Sequence, residues 1–415
     1  MRLNKNYIII YYFFLYLTLI IGLYFGEDFT GGFKYDLDTH NMLVSNLFNK
    51  GIGYGLLNYD IYYVPHSPIF IIYIIFLKKL FLIDELYRLV NLHLSLLIPI
   101  FVGLSLKIKY NLKSGDIRYL LPTIFFFSPY FRAGSIWTDD NLFAIIFLCI
   151  SIYFFIKYEK KKVLLRNILF CAFFLAISSY FRPIYSIFSI YFFLKFFVDL
   201  NFNRNFIYYV LFNFLLSLPA LYYLFILDVN KWAINYLFRE NLFTIISLVS
   251  SVLVFYFLPF ILKDYKSLSR KLLNIKNIFL SSVIIILLVL FFEYNRTYSG
   301  GIILKLSNLI FNNNYLFFLI SSISITLLYI LFFNKKNKTI FFDIIILFLL
   351  FSLEIDGVIY HETYDPLIYI LIFLIFKNNY INSFIIKLNL KKYILLVFFA
   401  LSFYATAVLK TIIII

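Results

Sequence analysis

Apolar runs of membrane-spanning length, about 20 residues each, recur from Tyr7 to the carboxyl end with short polar breaks between them. The first, Tyr7 to Gly26, follows the basic start MRLNKN and ends at Glu27 and Asp28. That asymmetry predicts a span entering from the cytoplasm, and the absence of an A-x-A cleavage pattern predicts that it is retained. Next comes the longest polar stretch, Glu27 to His66, with Gly31 and Gly32 ahead of Asp36, Asp38, His40, Asp60 and His66. Within it, 37 to 49 reads as a short interfacial helix. Two further apolar runs, about 67 to 83 and 89 to 106, are split by Asp84, Glu85 and Arg88.

Beyond them, basic clusters recur at Lys107 to Arg118, Lys157 to Arg166, Lys263 to Lys271, Lys335 to Lys338 and Lys387 to Lys392. Placed on the cytoplasmic side, they leave 27 to 66, 132 to 140, the turn at Arg182 and Pro183, 228 to 241, 293 to 301 and 354 to 365 facing outward. The stretch 67 to 105 must then cross once, because it is too short for three spans, unless one basic cluster breaks the positive-inside rule. One of its runs is expected to be re-entrant, interfacial or partly inserted. The count is about 13 transmembrane helices, amino terminus inside and carboxyl terminus outside.

Composition narrows the class. With 63% hydrophobic and 14% charged residues over 415 positions, the chain lacks the polar surface to cover a water-soluble globule. The expectation is an all-α polytopic membrane protein, a single transmembrane domain over 1–415 with 27–66 as its outer catalytic loop. The localisation is multi-pass, in the cell (inner) membrane of a bacterium or the endoplasmic reticulum of a eukaryote. The net charge of +16 sits in clusters between apolar runs, the signature of topology rather than of a nucleic-acid partner. Cys149 and Cys171 fall inside apolar runs and read as small hydrophobes rather than a disulfide.

The outward set carries the candidate chemistry. Asp36 and Asp38 compete as general base, and Asp36 has the alternative of capping the 37 to 49 helix. Helical spacing puts Asp36 and His40 on one face and Asp38 nearly opposite. Substrate-contact candidates are His40, His66, Asp139, Asp140, Arg182, Arg296, His361 and Glu362, with Lys231, Arg239 and Asp365 behind them. Capping and interfacial anchoring compete at Asp139 and Asp140, snorkelling competes at Arg182, and a solvated turn competes at His361, Glu362 and Asp365. His93, alone inside an apolar run, reads as an interhelical hydrogen-bond partner. No metal-ligand spacing, P-loop or nucleotide fingerprint is present, so neither metal nor cofactor is expected. Carboxylates backed by cations suit withdrawal of a proton from a hydroxyl and release of a phosphate, as in glycosyl transfer from a lipid phosphate.

The first span, the acidic outer loop and the Pro-rich entry YVPHSPIF (Tyr63 to Phe70) resemble the GT-C superfamily of integral-membrane glycosyltransferases, as do GGFKYDLDTH (31–40), SPYFRAGSIWTDDNLFAIIF (128–147), SSYFRPIYSIF (178–188) and YHETYDPLIYILIFLIF (360–376). The similarity is to bacterial members, and more faintly to the dolichyl-phosphate-glucose glucosyltransferases. It implies a GT-C-like fold, a polyprenyl-phosphate-linked sugar donor, a glycan, lipid or protein acceptor, and inverting transfer on the outer face. It also implies Asp36 or Asp38 as catalytic carboxylate, Asp139 or Asp140 as a second acidic position and Arg182 as the cation at the top of a span. The chain departs from the pattern in having no soluble carboxyl-terminal domain, no Asp-Glu pair and no Lys-Pro-Pro entry, so the acceptor is not implied. Two other classes remain open: a transporter or flippase of lipid-linked saccharides, and a polysaccharide polymerase or ligase.

Overall fold

The computed structural model describes residues 3–59, 68–81, 83–161, 165–225, 241–294, 299–333, 338–354 and 358–414. Every regular element among them is helical, the expected outcome for apolar segments that must satisfy their own backbone hydrogen bonds. Among the described residues, seven helices are long and apolar enough to cross a membrane, or eight if a bent pair counts as one. Five shorter apolar helices of 10–17 residues among the described residues fall below that length, so thirteen crossings are not reached by length within the described residues. Irregular turns shorten the elements: Ile117–Phe127 winds as a 3₁₀ helix around Pro122, and Pro183 opens a 3₁₀ turn directly after Arg182. The fit is to an all-helical polytopic membrane protein, with many large apolar side chains facing outward, among them Phe13, Phe14, Phe214 and Phe398.

The chain forms two compact units, Met1–Ile234 with Leu388–Ile415, and Asn235–Lys387. In the first, helices Asp140–Lys161 and Leu165–Phe181 form an antiparallel pair stitched by hydroxyls. Ser178 donates to the Ala144 carbonyl at 2.7 Å, and Ser151 donates to the Cys171 carbonyl at 2.8 Å. Small residues carrying one hydroxyl let backbones approach closely in an apolar surrounding. The first helix, Lys5–Tyr24, and the last, Leu390–Ile414, run parallel: Tyr393 meets Tyr11 at 3.1 Å and Tyr404 reaches Glu27 at 3.2 Å.

The stretch expected to cross once holds a 13-residue helix, Pro68–Leu80, and one candidate span, Glu85–Tyr110. Thirteen residues cover about 20 Å, less than the hydrocarbon thickness. Its apolar face, with Phe70, Ile71, Ile74, Ile75 and Leu77, is buried within the protein. His93 bears out its reading as an interhelical partner: Nδ1 donates to the Leu89 carbonyl at 2.7 Å, which leaves Nε2 to accept from Tyr16 of the first helix at 2.9 Å.

The second unit is built on Leu242–Ile261, which buries 15 of its 20 residues. Helices Ile275–Phe291, Gly301–Phe311 and Tyr315–Phe332 pack around it. Hydroxyls again join them, Ser321 to the Ser247 carbonyl at 3.3 Å and Ser281 to Ser322 at 3.2 Å. A pair, His361–Leu374 and Asn379–Ile386, bends by 78°. Polar groups hold the bend: Asp343 accepts the Lys377 N–H at 2.8 Å, Asn378 accepts the Tyr380 N–H at 2.9 Å, and Asn378 donates to the Leu331 carbonyl at 2.8 Å.

Candidate functional site

The helix expected at 37 to 49 runs over Phe33–Phe48. Phe33, Leu37, His40 and Leu43 make its buried stripe, with the three-and-four spacing that brings side chains to one helix face. Leu37 packs with Leu77 and Tyr87, and Leu43 with Tyr59, Ile71 and Ile75. The helix start is not capped by Asp36. Asp28 does this work, its Oδ2 accepting the Lys34 N–H and its Oδ1 the Gly31 N–H, both at 3.1 Å. The turn that permits it passes through Gly31 at φ +84°, where a Cβ would be strained. Asp36 therefore stands inside the first turn, half-buried on the His40 side, while Asp38 is exposed. The negative carboxylate of Asp36 suits the positive end of the helix dipole.

Asp139 is the N-cap of the next long helix, its Oδ2 accepting the Leu142 N–H at 2.9 Å. That is the structural reading of this residue. Asp140 instead reaches sideways and pairs with Arg182 at 3.0 Å; Asp140 is buried, but the arginine side chain is 24% exposed. Beside the pair, Tyr185 donates to Asn141 at 2.6 Å, tying the turn after Arg182 to the start of the Asp140 helix.

Aromatic packing brings the loop helix and this ion pair to one wall. The His40 ring meets Phe70 edge-on with centroids 5.0 Å apart, and Phe70 lies 5.9 Å from Phe143 and 6.3 Å from Phe181. Phe143 is one turn below Asp140, and Phe181 precedes Arg182. From the other end of the loop helix, Phe33 packs beside Gly134 and Asp139, where a Cβ on Gly134 would come within 3.5 Å of both. Asp36, His40, Asp139, Asp140 and Arg182 thus belong to one neighbourhood.

Several residues that shape it were not singled out from sequence. Thr138 adopts φ +64°, a left-handed conformation that is an outlier for a β-branched residue. Asn91 holds it, donating to Thr138 Oγ1 at 2.6 Å while accepting from the Tyr73 hydroxyl. Arg88 donates to the Ile136 carbonyl at 2.9 Å and lies 3.8 Å from the centroid of the Trp137 ring. Arg88 and Asn91, one turn apart in an otherwise apolar stretch, were the available signal, since polar groups there need named partners. Glu27 and Arg132 were also missed as a unit. All five guanidinium N–H groups are used: two on Glu27 at 2.6 and 2.7 Å, two on Thr18 at 2.9 and 3.0 Å, and one on the Phe126 carbonyl at 3.3 Å.

In the second unit, His361, Thr363, Tyr364 and Asp365 are buried, so this patch is not a solvated turn. The imidazole caps a helix: Nε2 accepts the Ile302 N–H at 2.9 Å, supplying the acceptor that Gly300 at the start of Gly301–Phe311 lacks. Thr363 donates to Glu354, and Glu362 is half-buried beside it. His66, Lys231, Arg239 and Arg296 lie outside the described residues. Among the described residues no three His, Cys, Asp or Glu side chains gather as a metal site. Comparison with protein-family models, with curated proteins and with solved structures gives no match to this chain.

Proposed function

We propose that the protein is a membrane glycosyltransferase that moves a sugar from a polyprenyl-phosphate donor to an acceptor hydroxyl on its outer face, with inversion. Asp36 takes the hydroxyl proton as the oxygen attacks the anomeric carbon. The bond from that carbon to the phosphate oxygen breaks, its electron pair leaves with polyprenyl phosphate, and Arg182 holds the developing charge. The observation carrying this reading is the shared wall. A half-buried carboxylate in a helix first turn and a partly exposed guanidinium, already oriented by Asp140, stand on elements joined through His40, Phe70, Phe143 and Phe181. Together with the GT-C-like patches at 31–40, 128–147 and 178–188, these groups supply the base and the phosphate cation such a transfer needs.

The test is to reconstitute the full chain in liposomes with polyprenyl-phosphate sugars and candidate acceptors, and to compare it with Asp36→Asn. Loss of about 10²-fold or more in transfer rate, with the fold retained, is the expected result. Undiminished transfer removes Asp36 as the base. A second reading, transport of a lipid-linked saccharide, draws on the 78° bent pair and on buried Asp343 at its bend, because transporters place discontinuous helices at their sites. Movement of the labelled saccharide across the same liposomes without transfer selects it.

A further inference from the structure

At the end of the first unit where the parallel first and last helices begin, a crevice of about 320 Å³ opens between them, lined by Ile8, Tyr11, Leu120, Tyr393, Ile394 and Val397 among others. Of its three tyrosines, Tyr7 is exposed, and the hydroxyls of Tyr11 and Tyr393 are already used. Tyr393 pairs with Tyr11 at 3.1 Å and with Thr123 at 2.6 Å, and Thr123 donates to the Leu120 carbonyl at 2.6 Å. What remains for an occupant is ring faces and methyl groups, a surface that offers water no partners and takes an apolar chain instead.

The mouth has the opposite character. Lys5 opens the first helix two residues after Leu3, Lys391 follows Leu390 on the last, and both lysines are exposed. The Leu3 N–H donates to the Gly115 carbonyl at 2.7 Å, which brings the turn bearing exposed Lys113 to the same place. The one acid on these three segments, Asp116, is held by Arg118 at 2.7 Å. Three exposed lysines on the segments that bound an apolar slot match a molecule with an anionic head and a hydrocarbon tail.

We propose that this crevice is a binding site for an anionic glycerophospholipid of the surrounding bilayer, one acyl chain lying between the first and last helices and the headgroup phosphate over Lys5, Lys113 and Lys391. The lipid seals the seam where the first and last helices begin. It is independent of the proposed transfer, whose residues lie on other elements.

The experiment equilibrates the detergent-purified full chain with equimolar phosphatidylglycerol and phosphatidylcholine of the same acyl chains, then measures the retained lipid by mass spectrometry. Retention of phosphatidylglycerol over phosphatidylcholine by about fivefold or more is expected, since each lysine near an anionic surface contributes roughly that factor. Replacing Lys5, Lys113 and Lys391 together by Gln is expected to bring the ratio near one. Ile394→Trp fills the slot from a position that is 55% exposed, so packing is little disturbed, and is expected to reduce the retained lipid. Val397→Phe serves as a second filling variant. Equal retention of both lipids by the wild type, an unchanged ratio in the lysine variant, or undiminished retention in both filling variants each overturns the proposal.

Discussion

Two arginine–carboxylate pairs in the first unit, built from the same chemistry, are spent differently. Arg132 is buried and saturated: every N–H has an acceptor, and Glu27, besides its two bonds to the guanidinium, accepts from Tyr404 and offers its backbone carbonyl to Trp137 at 2.9 Å. Nothing remains with which to bind a substrate, so the pair clamps the first helix to the Pro129–Trp137 helix. Arg182 pairs with Asp140 while 24% of its side chain stays exposed, so it is accessible from outside the protein in a way that Arg132 is not. Position in the network, rather than residue type, separates the clamp from the candidate site.

The largest test of this contrast is Arg132→Met. Removing one member of a buried pair leaves an uncompensated carboxylate and costs about 3–5 kcal/mol; loss of folded protein on detergent extraction, or a collapse of the thermal midpoint, is the expected outcome. A midpoint close to wild type would mean that the clamp is dispensable. Gly22→Ala attacks the same cluster sterically. Its Cβ would overlap Glu27 Oε2 and come 3.1 Å from Arg132 Nη2, so a destabilisation of about 1–3 kcal/mol is expected. Combined with Glu27→Gly the effect should shrink, which a double-mutant cycle reads directly.

Arg182→Gln probes the other side of the comparison. Stability should fall less than in Arg132→Met, because the Arg182 side chain is partly exposed although its Asp140 partner is buried, while transfer falls by about 10²-fold or more if phosphate is held there. A variant both stable and fully active would make the pair a second, weaker clamp. The smallest effect belongs to Asp116, whose hydrogen bond to Arg118 holds its carboxyl below the ordinary range. The pair's stabilisation is present above the ordinary carboxylate pKa and is lost as pH falls through the lowered value. Thermal midpoints from neutral to strongly acidic pH should therefore drop more steeply for the wild type than for Asp116→Asn.

Much of the site was readable from its pattern. The spacing of Asp36 and His40, the opposite placement of Asp38 and the possibility that Asp139 is a cap are local properties, fixed within one or two helical turns. Two expectations failed for a physical reason that short windows cannot contain. Asp36 was given the alternative of capping its helix, but the cap comes from Asp28, six residues before the N–H it accepts, because a left-handed Gly31 folds the chain back. The patch at His361 reads as solvated by composition, yet its imidazole serves the start of a helix 59 residues earlier.

The sequence by itself determined the class of the molecule: helical elements, apolar faces suited to lipid and polar chemistry confined to short breaks, because hydrophobic periodicity and charge act locally along the chain. Only the tertiary structure decided which polar groups are already satisfied. Glu27 meets Arg132 across 105 positions and Asp140 meets Arg182 across 42, and a buried charge is worth what its partners make of it.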